Sequence, residues 1–263
     1  MRIDVDDITM ELEAYGSDGP VVLLVHGLGG CRGVWTEVAT HIGRKARALV
    51  PDLRGCGGST RGSAPYTLAR VADDLAALLR ALGETRVVAV GHSLGGVLVQ
   101  ELMVRHGHLL AGAVLVSTSS RLNATASRNW KKLADMVEAK GLSTSPESQA
   151  RSFSESFAAA HPEVLAAHAA LAATADPRVY AEQARAASEY DYTDALATVS
   201  IPTLVVQGLA DRLTPPGGSV LLQRALPASR LEMIEGAGHN LPVEMPERFA
   251  RLVLDFIDEL GRS

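Results

Sequence analysis

Short apolar runs alternating with stretches of helical spacing constrain this chain most. The runs fall at residues 21–25, 46–50, 86–90, 113–116, 203–206 and 231–234, and they are rich in valine, leucine and alanine. Unbroken apolar character fits strands buried on both faces, and helices in between are the crossovers that parallel strands need. Residues Leu68, Val71, Leu75, Leu78, Leu79 and Leu82 line one face of such a helix, with Gly83 as its stop. Near the end, Pro246 opens a helix that turns Phe249, Leu252, Val253 and Phe256 to the core. The stretch through Leu12 reads as an antiparallel pair at the sheet edge. The predicted class is α/β, with a mostly parallel central sheet and helices on both faces.

Residues 120–194 break the alternation. The segment is alanine-rich, holds no convincing strand and carries helix starts at Ser145-Pro146-Glu147 and Asp176-Pro177. It reads as a helical insertion, leaving residues 1–119 and 195–263 as the α/β core. A length of 263 residues suits one large domain with such an insertion. The net charge of −5 and the lack of a Lys/Arg block argue against nucleic acid as a partner. No apolar run approaches a membrane span. The first residues lack the apolar core of a signal peptide. Cys31 and Cys56 cannot build a disulfide framework and read as free thiols. The expected address is the cytoplasm, with no membrane partner. The oligomeric state is not readable from the sequence.

Chemistry concentrates where expected strands end. Gly91-His92-Ser93-Leu94-Gly95 follows the run at 86–90 and opens an apolar helix. In that strand–turn–helix setting it reads as a nucleophile elbow, a strained turn that pushes a serine oxygen above the sheet. Tiny neighbours are needed on both sides, and the following helix aims free N–H groups at the site. The bland alternative is a glycine-rich turn whose serine only caps a helix. Of the eight histidines, only His239, in Gly236-Ala237-Gly238-His239-Asn240, lies both at a strand end and late enough to act as base. His92 occupies the elbow's variable position, and His161 and His168 belong to the insertion. Asp211, just after the run at 203–206, is the acid that would fix the imidazole tautomer. The competing position, Ser117-Thr118-Ser119-Ser120, offers no carboxylate. His26-Gly27-Leu28-Gly29-Gly30 would supply a second oxyanion donor, so the expected donors are the backbone amides of Leu28 and Leu94. That loop lacks the lysine of a phosphate-binding P-loop, and no metal-ligand spacing is visible.

These segments, with Asp52-Leu53-Arg54-Gly55-Cys56-Gly57-Gly58-Ser59, resemble the α/β-hydrolase family over residues 26–239. Within it the chain is similar to 3-oxoadipate enol-lactonases, cofactor-free haloperoxidases (perhydrolases) and small carboxylesterases. The resemblance implies a helical cap over the site. It also implies hydrolysis of an ester, thioester or lactone through an acyl-serine, with no cofactor and no metal. The expected partner is a small-molecule acyl substrate. A perhydrolase, a lyase, a carbon–carbon hydrolase or a slow-turnover ligand receptor could use the same Ser93-His239-Asp211 triad. Serine at 93 argues against the aspartate-nucleophile dehalogenases and epoxide hydrolases. Gly236-Ala237-Gly238 lack the lysine of plant-type hydroxynitrile lyases. Cys56 stands where relatives hold a bulkier residue, and no role is assigned to it. Alanine fills little volume, so the cap is expected to be mobile and to select small to medium, mainly apolar acyl groups. The candidate pocket residues are Trp130, Met136, Phe153 and Phe157; alternatively, they only join the cap helices to one another.

Overall fold

The computed structural model describes residues 1–262. Its strands are β1 (Arg2–Val5), β2 (Ile8–Tyr15), β3 (Val21–Val25), β4 (Arg47–Pro51), β5 (Val87–His92), β6 (Leu110–Val116), β7 (Thr203–Gly208) and β8 (Ser229–Ile234). They form one sheet in the order β1-β2-β4-β3-β5-β6-β7-β8. Only the pairings β1–β2 and β2–β4 are antiparallel; the other pairings run parallel. The expected edge pair and parallel core are both present. Pro202 falls one residue ahead of β7, and its carbonyl accepts from Ala113 N at 3.0 Å.

Alternate strand residues feed two cores, as the two-residue period of a strand requires. Leu23, Val25, Ala89, Leu115 and Val205 meet α2 (Leu68–Ala81) and α3 (Leu94–His106) on one face. Val22, Leu24, Val90, Val116 and Val206 meet α1 (Thr36–Ile42) and a C-terminal helix at Pro246–Leu260 on the other. In α2 the expected stripe is buried, with Leu82 only partly so. Thr67 caps its start, and Gly83 at φ 71° ends it. Asp74 is buried on the same helix. Its partner is Arg54, 1% exposed, which reaches it through Nε and Nη2 at 2.8 Å and also meets Asp7 at 2.7 Å.

The insertion leaves the sheet after β6 and returns before β7. It comprises α4 (Ala124–Lys140), α5 (Pro146–Gln149), α6 (Glu155–Ala160), α7 (Pro162–Ala172) and α8 (Pro177–Ala186), followed by α9 (Thr193–Leu196). Its extended contact is the isolated bridge Arg121–Asp191 at its base. Ser145 and Asp176 cap α5 and α8 as the sequence predicted, and Asn123 and Ser154 cap α4 and α6. The alanines serve close approach: Ala134 on α4 packs against Ala181 and Ala184 on α8. Three helices complete the core: α10 (Pro216–Ala225), α11 (Leu241–Glu244) and α12 (Pro246–Leu260). Among the described residues, no helix is long and apolar enough to cross a membrane.

Candidate active site

Between β3 and β5 the chain reverses its direction across the sheet, so the loops leaving those strands diverge and open a crevice at their carboxyl ends. His26-Gly27-Leu28 leaves β3 there, and Ser93 leaves β5. The backbone at Ser93 is φ 55°, ψ −119°, a conformation that costs a non-glycine residue about 1–3 kcal/mol. The flanking glycines allow it. A Cβ on Gly91 would stand 2.6 Å from Gly95 C, and one on Gly95 would stand 2.6 Å from His26 O. The elbow is therefore wedged against the β3 loop. Leu94 begins α3, whose first amides lack helical acceptors.

Asp211 follows β7 and His239 follows β8, with His239 Nδ1 at 2.9 Å from Asp211 Oδ2. Asp211 Oδ1 accepts from Leu213 N and Thr214 N at 2.8 and 2.9 Å. Its Oδ2 also accepts from Thr214 Oγ1 at 2.6 Å. Burial pushes the Asp211 carboxyl up, but the His239 hydrogen bond, reinforced by Thr214, holds it at about 2. The carboxylate is anionic, so it accepts a hydrogen bond from Nδ1–H and leaves Nε2 as the basic nitrogen.

His92 does more than fill the elbow's variable position. It donates through Nε2 to the His239 carbonyl at 2.8 Å, and burial drops its pKa to about 3. Buried His26 accepts from Leu53 N at 3.1 Å and donates to Gly27 O at 2.9 Å. It thereby fixes the glycine-rich loop. Cys56 is buried and receives Gln183 Nε2 at 3.1 Å, and burial raises its thiol to about 12. It packs as a neutral thiol.

A cavity of about 680 Å³ lies between the sheet end and the insertion, and Ser93, His239 and Leu28 all line it. Trp130 stands on its wall with Ala126, Asn129 and Leu133, the stripe that α4 turns inward. The other three pocket candidates do not line it. Met136 lies further along α4 and is 48% exposed. Phe153 is buried, stacks on Phe157 at 5.7 Å and meets the His168 ring edge at 5.2 Å. These phenylalanines join α6 to α7 behind the wall, because Phe153 precedes α6 and its backbone runs along the His239 loop.

Trp35, Tyr180, His168, Thr214 and Asn240 line the cavity without having been singled out from the sequence. Partial signals existed for three of them. Tyr180 is the lone aromatic of residues 158–187, Asn240 adjoins His239, and Thr214 lies three residues past Asp211. Trp35 and His168 arrive through tertiary packing alone. Among the described residues, the wall carries one cationic side chain, Arg151, and no Asp or Glu.

The chain matches the family model of the alpha/beta hydrolase fold over residues 20–246. It belongs to that family and is an enzyme of the hydrolase class. A provisionally named carbamate hydrolase, RutD, from Pseudomonas savastanoi pv. phaseolicola is 30% identical over 246 residues, covering 92% of this chain and 95% of its own. The 3-oxoadipate enol-lactonase 2 of Acinetobacter baylyi is 26% identical, covering 95% and 94%. Among solved structures, a thermophilic esterase from Thermogutta terrifontis superposes with a TM-score of 0.92 at 31% identity, covering 99% of both chains.

Proposed function

We propose that the protein is a serine hydrolase that cleaves carboxylic ester, thioester or lactone bonds of small acyl substrates. The observation that carries this reading is Ser93 in its strained elbow, sharing one cavity with the His239–Asp211 pair. His239 Nε2 takes the Ser93 proton as the oxygen attacks the substrate carbonyl. The amides of Leu28 and Leu94 receive the oxyanion, each such donor contributing about 3 kcal/mol where one has been removed elsewhere. The imidazolium returns its proton to the leaving group, the acyl-serine remains, and water activated by His239 releases the acid. Asp211, anionic and buried, fixes the imidazole and stabilises its charged form.

The relatives' names support acyl transfer to water: a lactonase, a carbamate hydrolase and an esterase each split a carbonyl bond of that kind. The helical insertion acts as the cap, and its wall residues set the acyl group. Apolar acyl groups meet Trp130 and Leu133, while Arg151, on a wall without carboxylates, tolerates a carboxylate-bearing one. Turnover assays on acyl esters and lactones, run beside Ser93→Ala, test the reading. The alanine variant should fold and be inactive, and a fluorophosphonate should label wild type at Ser93 alone. Activity surviving in Ser93→Ala would overturn it. Turnover with peroxide, or on β-diketones instead of esters, would reassign the reaction while keeping the residues.

A further inference from the structure

On the reading that His239 is the base, we propose that Glu244 is a positioning residue that, through Ser154, locks the His239 loop to the cap. Glu244 closes α11 and is 8% exposed. Among the described residues its carboxylate has no ion-pair partner, which makes its burial costly unless donors saturate it. Backbone and hydroxyl donors do so. Gly238 N donates at 3.0 and 3.1 Å to the two oxygens, and Ser154 Oγ donates at 2.7 Å. Ser154 N lies at 3.3 Å from both oxygens. Gly238 directly precedes His239, whereas Ser154 is the N-cap of α6 in the cap.

The loop is held on its other side too. Asn240 N donates to Ser152 O at 2.8 Å, and Asn240 Nδ2 donates to Ser152 Oγ at 2.8 Å. Both neighbours of His239 are thus tied to residues 152–154. The contact is backbone against backbone: a Cβ on Gly238 would stand 2.6 Å from Phe153 C and 2.7 Å from Glu244 Oε1. Asp211 fixes how the imidazole is turned, and Glu244 with Ser154 fixes where its backbone lies. Ser152, Arg151 and Gln149 line the cavity, so the segment that holds His239 also meets the substrate. A base must be placed to well under an ångström, and a 1 Å displacement can cost about a hundredfold in rate.

A purely structural Glu244 would lower stability and leave the chemistry alone. Ser154 also caps α6 by accepting Phe157 N at 3.3 Å, so its loss lowers stability on either view. The informative quantity is therefore the split between kcat and KM. Full-length Ser154→Ala, Glu244→Gln and the double variant should be assayed on p-nitrophenyl acetate and butyrate below their melting temperatures. Each single variant should lose about tenfold or more in kcat, with KM within about twofold. The double should be no worse than the poorer single, because the two act as one link. Wild-type kcat in folded Ser154→Ala, or losses confined to KM, would overturn the proposal. If Glu244→Gln fails to fold, Ser154→Ala alone decides. Ser93→Ala and His239→Ala in the same series separate the two readings. Were both dead while Ser154→Ala turned over normally, only the positioning role would fall. Activity in Ser93→Ala would instead remove the serine-hydrolase reading beneath it.

Discussion

Asp211 reaches its ionised state by outweighing its own burial. It is 4% exposed, and the hydrogen bond and charge of His239, with the Thr214 hydroxyl and amide, still bring its carboxyl from 3.8 to about 2. Replacing the carboxylate by an amide removes the acceptor that selects the Nδ1–H tautomer. Asp211→Asn should therefore lower kcat by up to about 10⁴-fold with a much smaller change in KM, measured on any ester the wild type turns over. A loss below tenfold would mean that another acid serves His239. The same shift has a stability consequence. A carboxyl depressed in the folded state contributes above its unfolded value, here about 2 kcal/mol above pH 4. That contribution fades as pH falls from about 4 to about 2. Melting curves of wild type and Asp211→Asn should converge across that window.

Within elements, what the sequence made legible was what depends on local period. The strands and the leucine stripe of α2 were readable because burial on two faces, or on one helical face, leaves a pattern in neighbouring residues. The elbow, Asp211 and the His239 loop were readable because each directly follows such a strand. Asp74 was not, since its partner Arg54 lies 20 residues away in a loop. Nor were Phe153 and Phe157 assignable: their aromatic character did not say whether they meet His168 and each other or the substrate. The Arg54 cluster invites a direct measurement. Arg54→Ala removes both 2.8 Å hydrogen bonds from Asp74, 1% exposed, leaves it the longer 3.6 Å ion pair with Arg70, and should cost about 3–5 kcal/mol in urea unfolding. Replacing both partners by apolar residues, Arg54→Met with Asp74→Leu, should recover part of that loss. A loss under about 1 kcal/mol for the single variant would show that the pair is solvated in solution.

Across the whole molecule, the parallel sheet brings the loops that carry Leu28, Ser93, Asp211 and His239 to one end, and the insertion closes a cavity over them. On the proposed reading the loops at the sheet end carry the chemistry, and selectivity falls to the wall that the insertion supplies. Trp130 is its largest α4 contribution, placed there by the same stripe as Ala126, Asn129 and Leu133. Shortening it enlarges the acyl space without touching Ser93 or His239. Trp130→Ala should therefore shift kcat/KM unequally among acetyl, butyryl and octanoyl esters, by about 1–3 kcal/mol of discrimination. Phe157 is the control. It stacks on Phe153 and tilts against His161 at 4.4 Å, away from the wall. Phe157→Ala should lower the melting temperature and scale all three substrates alike. If Trp130→Ala also reduced the three equally, with a lower melting temperature, the indole would be joining α4 to α8 and selectivity would lie elsewhere on the wall. A chain-length preference altered by Phe157→Ala would place the acyl group deeper, behind His168.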